Sequence, residues 1–373
     1  MCGIVGYVGK RDAMPVLVEG LHRLEYRGYD SAGLAVLHRG RLQVTKTPGR
    51  VADLRAKLHG SGKSTIGIGH TRWATHGEPN EVNAHPHTDT AGRIAIVHNG
   101  IFENAEQLRD QLTAAGVTLA TDTDTEAAAH MIAAELAADE TASLEDAVCR
   151  VLARVEGAYG LVVMDAKNPD QLVVARKGSP VVLGIGENEM FVASDVAALV
   201  RYTRQVVYLE DGEVATLSAG DYSTRSLTGA DASAAAVPKS PTMVDADAAD
   251  YELGTFPDYM RKEIHEQPEA IRRALRGRLD ERFATARLGG INFDARELRS
   301  IRQVKFLGCG SAYYAGQMGA AIVEELARIP ADAEPASEFR YRSPVVDPDT
   351  LYVAVSQSGE TSDTLMAVQE LKR

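Results

Sequence analysis

The chain opens Met1-Cys2-Gly3-Ile4-Val5-Gly6, and removal of Met1 would leave Cys2 with a thiol and a free α-amine on one Cα. A thiol titrates near about 8.5 and an α-amine near about 7.7–8.0, so the amine can accept the thiol proton close to neutrality. Nucleophile and base would then share one residue, as in the threonine version of the same pairing. Free cysteines are also commonly buried as small apolar residues. Position alone does not choose between the two, and the partners of Cys2 must decide.

Four clusters hold residue types that could serve such a nucleophile. The segment His70-Thr71-Arg72-Trp73-Ala74-Thr75-His76-Gly77 follows an apolar run; Arg72 there could hold a carboxylate through two parallel hydrogen bonds, or could be a surface arginine stacked on Trp73. His98-Asn99-Gly100 follows another apolar run. Asn-Gly is a strong hairpin signal, and the Asn99 amide with the Gly100 N–H could equally receive a developing oxyanion, a donor there contributing roughly 2.7–4 kcal/mol. Thr121-Asp122-Thr123-Asp124-Thr125-Glu126 opens a helix, either as a cap with Glu126 in the first turn or as a carboxylate site for an ammonium group. The loop Tyr26-Arg27-Gly28-Tyr29-Asp30-Ser31-Ala32-Gly33 is polar, aromatic and glycine-rich, as a loop beside a site is. His85-Pro86-His87 has no third ligand at useful spacing, so no metal is expected.

Two further clusters suit an anion. Gly308-Cys309-Gly310-Ser311-Ala312 and Ser356-Gln357-Ser358-Gly359-Glu360-Thr361 each lie between an apolar run and a helix pattern. Hydroxyls, glycine and free N–H groups at a helix start bind phosphate, and at the carboxyl edge of a parallel sheet they face ligand. Neither turn matches GxxxxGK[ST] or GxGxxG, which disfavours a nucleotide and leaves a sugar phosphate.

The elements that must position these residues fall into two patterns. Up to Leu217 the chain alternates short strand-like runs, such as Ile66–His70, Ile94–His98, Leu161–Met164 and Val214–Leu217, with helical periodicity at Asn104–Ala115, Thr125–Ala138 and Ser143–Val155. Asp124 and Ser143 read as caps. Helices covering sheets follow from that order. Residues 218–257, rich in Ala, Ser, Asp and Pro, read as a linker. Beyond it, Tyr259–Glu266 and Glu269–Arg276 read as helices interrupted at Pro268. Buried strands at Val304–Leu307 and Leu351–Val355 alternate with helices at Ala312–Arg328 and Thr361–Lys372, a parallel α/β pattern. The chain is expected to stop inside that second domain.

At 373 residues there is length for two cores. A formal charge of −12 without a basic run argues against nucleic acid or an anionic membrane as partner. Three scattered cysteines, Cys2, Cys149 and Cys309, give no disulfide framework and fit a reducing, cytoplasmic compartment. The N-terminus does not read as a secretory signal, and no apolar run is long enough for a membrane span.

Taken together, Cys2–Gly6, Leu24–Gly33, His70–Gly77, Asn83–His87, His98–Ile101, Thr123–Glu126, Lys262–Pro268, Gly308–Ser311 and Ser356–Thr361 make the chain resemble the glutamine–fructose-6-phosphate aminotransferase (isomerizing) family over its whole length. The resemblance implies an N-terminal αββα sandwich of the N-terminal nucleophile hydrolase type over residues 2–217. It implies an incomplete parallel-sheet sugar isomerase (SIS) domain over residues 258–373. Cys2 would attack the amide of L-glutamine, its α-amine handling the proton through a water, and Asn99 and Gly100 would hold the oxyanion. Arg72 would bind the α-carboxylate and Asp124 the α-ammonium, with Thr75, His76 and Gly100 lining the pocket. Trp73 resembles the family's ammonia gate. Cys309, Gly310, Ser311, Ser356, Gln357, Ser358 and Thr361 would hold fructose 6-phosphate.

No cofactor is implied, and a homodimer is expected at full length. Glutaminase activity is expected of this chain; hexosamine synthesis is not, because the lysine, glutamate and histidine of the family's sugar chemistry follow later. Two other readings compete. A non-catalytic sugar-phosphate-binding regulatory module would need no role for Cys2. Another class II amidotransferase, such as an amidophosphoribosyltransferase, would need an acidic pyrophosphate loop that Gly308–Thr361 lacks.

Overall fold

The computed structural model describes residues 2–58, 62–74, 77–227, 235–244, 253–280, 282, 285–286, 293–357, 359 and 361–373. The chain divides into two compact units, Met1–Thr255 and Phe256–Arg373.

In the first unit the strands are β1 (Gly3–Val8), β2 (Ser31–His38), β3 (Arg41–Pro48), β4 (Ile66–Arg72), β5 (His87–Thr88), β6 (Ile94–Phe102), β7 (Gly157–Asp165), β8 (Leu172–Lys177), β9 (Val182–Gly186), β10 (Glu189–Ala193), β11 (Gln205–Tyr208), β12 (Glu213–Ser218), β13 (Asp221–Ser226), β14 (Ala235–Ala236) and β15 (Thr242–Met243). They form an eight-stranded sheet in the order β15-β11-β9-β10-β1-β4-β2-β3 and a seven-stranded sheet in the order β14-β13-β12-β8-β7-β6-β5. The helices are α1 (Ala13–Arg23), α2 (Val51–Lys57), α3 (Ala105–Ala114), α4 (Asp124–Ala138) and α5 (Leu144–Leu152).

Side-chain alternation explains the layers, because successive residues of a strand face opposite sides of the sheet. Ile4 and Val8 of β1 pack with Ile66 and Ile68 of β4 against Ala95 and Val97 of β6 and Val162 and Met164 of β7, between the sheets. The intervening Val5 and Tyr7 turn outward, onto Leu17 and Leu21 of α1. On the second sheet Ile94, Ile96, Leu161 and Val163 face Ile132 of α4 and Val148 of α5. The result is the αββα sandwich expected from the sequence.

Local chemistry sets the helix ends. Ser143 caps α5 in a capping box, its hydroxyl accepting the Asp146 N–H at 3.1 Å while Asp146 accepts the Ser143 N–H at 3.3 Å. Helix α4, apolar on nearly every side, is correspondingly buried over most of its length. Its cap position is Thr123; Asp124, expected as the cap, is the first helical residue and bonds elsewhere. Helix α1 was not read from the sequence.

The stretch read as a linker is not all linker. Strand β13 pairs with β12 over its whole length, β14 extends that sheet, and β15 pairs with β11. Asp221–Ser226 therefore continues the first unit, as the antiparallel return of a hairpin.

The second unit contains α6 (Tyr259–Leu275), the short strands β16 (Leu279–Asp280) and β17 (Thr285–Ala286), α7 (Ala295–Ser300), β18 (Gln303–Gly308), α8 (Ser311–Ala327), β19 (Ala331–Pro335), α9 (Ala336–Tyr341), β20 (Thr350–Ala354) and α10 (Ser362–Leu371). Strands β19, β18 and β20 are parallel with β18 in the centre, as the strand–turn–helix order predicts. Leu307, Ala336, Phe339 and Ala367 form its core. Helix α6 runs unbroken through Pro268, where an interruption was expected. Proline loses its own N–H bond and crowds the carbonyl four residues back, and the sixteen other residues of the helix carry it past that defect.

Candidate active site

Cys2 immediately precedes β1, whose register against β4 sets Gly3 opposite Thr71 and Ile4 opposite His70. That pairing brings the thiol to the end of β4. The Trp73 N–H donates to Cys2 Sγ at 3.2 Å, and the thiol faces the Trp73 carbonyl at 3.6 Å. Burial pushes the thiol pKa up; the Trp73 N–H and the Arg72 guanidinium oppose that shift. Asp30, in the Tyr26–Gly33 loop, holds the following turn by accepting the Ala74 N–H at 2.9 Å.

Asn99 reaches Cys2 from the second sheet. Its Nδ2 donates to the Cys2 carbonyl at 3.0 Å, and its Oδ1 lies 2.9 Å from His70 Nε2, which also lies 3.2 Å from the His98 carbonyl. Both of those partners only accept, so Nε2 carries the His70 proton. Burial lowers the His70 pKa to about 3, so the ring is a neutral donor that fixes the amide. One amide N–H is committed to Cys2, and the other is the one that can serve an oxyanion.

Asn99-Gly100 is not a hairpin turn. It lies inside β6, paired with Gly160 and Tyr159 of β7. Gly100 has φ +129°, and a Cβ there would stand 2.1 Å from the Ala158 carbonyl oxygen and 3.0 Å from His98 Nε2. The glycine lets two backbones approach and makes room for the His98 ring, which stacks on Phe102 with centroids 4.3 Å apart.

Cys2, Arg72, Trp73, Gly100 and Asp124 line a single pocket, together with His85, His98, Thr123 and Thr125. Arg72 ends β4 and is buried rather than stacked on the surface, with Nη1 donating to the Glu78 carbonyl at 3.2 Å. Burial lowers its pKa, while Cys2 and Asp124 act in the opposite direction. Asp124 accepts the Phe102 N–H at 2.9 Å and the Thr125 hydroxyl at 3.0 Å. Burial would raise its pKa, but the adjacent His98 ring and these two donors outweigh it and hold the carboxyl well below the usual range. A guanidinium and a carboxylate in one pocket match the two charges of an α-amino acid, with a thiol to meet its side chain. The Trp73 ring is about half exposed and meets Tyr29 edge-on, centroids 5.5 Å apart. Thr75 and His76 lie outside the described residues.

His98, Thr123 and Thr125 were not among the candidate residues, although each sits inside a segment singled out for a neighbour. The available signal was a polar side chain at a strand or helix position that faces the interior. His85 and His87 belong to this buried layer too. The His85 ring lies 4.2 Å from that of His70 and 4.5 Å from that of His87, centroid to centroid. Burial, reinforced by the neighbouring rings at His85 and chiefly by the Lys46 ammonium at His87, puts both pKa values well below the ordinary range.

In the second unit the two anion-type turns leave the carboxyl ends of adjacent strands. Cys309-Gly310-Ser311 joins β18 to α8, and 355–361 join β20 to α10. Thr364 on α10 ties them together through a 3.8 Å contact from its hydroxyl to Cys309 Sγ. The Gly359 N–H donates to Ser356 Oγ at 2.9 Å, and Thr361 stands at the N-cap position of α10 without a capping bond from its side chain among the described residues. Gly310, Ser311, Ser356 and Gln357 are exposed; Ser358 lies outside the described residues.

Comparison with known proteins agrees with this division. Residues 70–201 match the glutamine amidotransferase domain family and residues 297–373 the SIS domain family. Over 376 residues the chain is 45% identical to a glutamine–fructose-6-phosphate aminotransferase (isomerizing) of Chlorobaculum tepidum, covering all of this chain and 60% of that one. It is 47% identical over 375 residues to the Symbiobacterium thermophilum protein of the same name, with the same coverage. Among solved structures it is similar to the allosteric regulatory enzyme of purine biosynthesis, with a TM-score of 0.54, 27% identity, and 61% of this chain and 49% of the other covered. The chain spans about 60% of the length of the curated relatives it matches. With one match to the glutamine amidotransferase domain family and one to the SIS domain family, the chain is similar over its whole length to glutamine–fructose-6-phosphate aminotransferases.

Proposed function

We propose that the first unit hydrolyses L-glutamine and that, in the longer protein, the ammonia aminates fructose 6-phosphate to give glucosamine 6-phosphate. The observation that carries the reading is the convergence of Cys2, Arg72, Asn99, Gly100 and Asp124 at one end of the sandwich. Removal of Met1 converts the Cys2 nitrogen from a peptide amide into an amine able to take the thiol proton. The sulfur adds to the glutamine side-chain carbonyl, and the free Asn99 N–H and the Gly100 N–H receive the oxyanion. The C–N bond then breaks, ammonia leaves with the proton that the α-amine returns, and a glutamyl thioester remains. Water adds to the thioester, releasing glutamate and restoring the thiol. Arg72 pairs with the α-carboxylate and Asp124 with the α-ammonium, leaving the side chain to meet Cys2.

Trp73 gates the ammonia route. Its backbone N–H bonds the nucleophile, which places the ring beside the thiol. The turns with Cys309, Gly310, Ser311, Ser356, Gln357 and Thr361 hold the sugar phosphate through N–H groups and hydroxyls. The full-length protein works as a cytoplasmic homodimer. No helix among the described residues is long and apolar enough to cross a membrane.

The test is glutamate release from L-glutamine by chain shown by intact mass to lack Met1. The same chain with an uncleavable N-terminal extension is the comparison. The extension is expected to abolish release; equal rates in the two would overturn the reading.

A further inference from the structure

We infer that Thr125 is a positioning residue for substrate: its hydroxyl, locked by two buried histidines, aims the Asp124 carboxylate at the ammonium group of the bound amino acid. The inference rests on the glutamine reading above and assigns a role to residues that reading does not use.

The argument is a count of hydrogens. Thr125 Oγ1 has three polar neighbours, Asp124 Oδ1 at 3.0 Å, His85 Nε2 at 3.0 Å and His98 Nδ1 at 3.0 Å. A hydroxyl has one proton to donate and two lone pairs. An ionised carboxylate only accepts, so the single proton goes to Asp124. Both lone pairs must then be filled by ring N–H groups, which sets His85 as the Nε2–H tautomer and His98 as the Nδ1–H tautomer.

The opposite ring nitrogens, His85 Nδ1 and His98 Nε2, are both buried and have no hydrogen-bond partner among the described residues. That is the expected pattern, because an unpaired lone pair is tolerated more readily than an unpaired buried N–H. Neither ring can rotate freely. His98 is stacked on Phe102, and His85 is wedged between His70 and His87. The hydroxyl proton therefore has one place to point.

The other Asp124 oxygen is held by the Phe102 N–H from β6. Each carboxylate oxygen thus has one internal donor, and the group is fixed in orientation while its remaining lone pairs face the pocket. A carboxylate held this way recognises an ammonium at lower ordering cost than a free one.

The test needs no turnover: it measures binding of L-glutamate and of glutarate, which lacks the α-ammonium, to the same chain by calorimetry. Wild type is expected to prefer L-glutamate. Thr125→Val keeps the shape and removes the hydroxyl; the preference should fall about tenfold, the worth of one hydrogen bond to a charged group. Thr125→Ser should retain it. If Thr125→Val does not fold, Thr125→Cys, with a much weaker donor, must show the loss instead. A variant that keeps the wild-type preference, or weakens both ligands equally, overturns the positioning role alone. Wild type that binds neither ligand overturns the glutamine reading and this inference with it.

Discussion

Gly100→Ala is expected to destabilise the first unit by more than about 4 kcal/mol, a loss reserved for a few named causes. Two of them coincide here. The residue sits at φ +129°, where an L side chain is strained by roughly 1–3 kcal/mol. Its Cβ would also stand 2.1 Å from the Ala158 carbonyl oxygen, more than an ångström inside ordinary contact. That oxygen is backbone, in a strand paired with β6 from Ile94 to Phe102, so relief requires parting β6 from β7. Gly92→Ala is the control: φ is +66° and nothing lies within 4 Å of the added carbon, so the cost is the left-handed conformation alone, about 1–2 kcal/mol. The assay is urea unfolding followed by the fluorescence of Trp73, the only tryptophan in the chain, which reports on this unit. Equal midpoints for the two variants would refute the reasoning, because the contact would then count for nothing.

Further predictions concern single groups. Arg72→Lys should raise KM for glutamine at least about tenfold, because a point charge replaces a planar fork, with the melting temperature nearly unchanged; an unaltered KM would remove Arg72 from carboxylate binding. Glu126 accepts the N–H groups of Ala120 and Thr121 and the Thr121 hydroxyl, each at 2.8 Å. Burial would raise its pKa, but the His130 ring 3.8 Å away and the hydrogen bonds from Ala120 and Thr121 outweigh it and lower it to about 2. A depressed carboxyl stabilises the fold above its unfolded pKa, near about 4.3, and the contribution is lost as pH falls toward about 2. Glu126→Gln should therefore flatten the stability curve between those limits; a curve as steep as wild type would contradict the assignment.

The layered architecture was legible because strand alternation survives in the sequence: Ile94, Ile96 and His98 face one way, Ala95 and Val97 the other. Helix α1 was not legible. Pro15 and Gly20 punctuate it, although Pro15 sits in the first turn, where its missing N–H has no helical partner to lose, and Gly20 packs against Val5. Strand β19, Ala-Asp-Ala-Glu-Pro, has little apolar signal because it is an edge strand. The linker reading failed at Asp221–Ser226, whose polar residues suit a strand next to the edge of a sheet. In the site, Cys2, Arg72 and Asp124 stood out by type, while the roles expected of them came from the family resemblance. The histidine layer beneath them did not, because which hydroxyl a buried ring meets depends on register between β6 and α4. Asn99-Gly100 misled as a turn signal for a related reason: the positive φ of Gly100 serves a close strand pair, not a reversal.

The central claim is that the Cys2 thiol does the chemistry, and glutamate release by wild type and Cys2→Ala tests it most directly. Both proteins would be confirmed by intact mass to lack Met1. The account predicts release by wild type and none above background by Cys2→Ala, with unchanged melting temperatures; equal rates in the two proteins would contradict it.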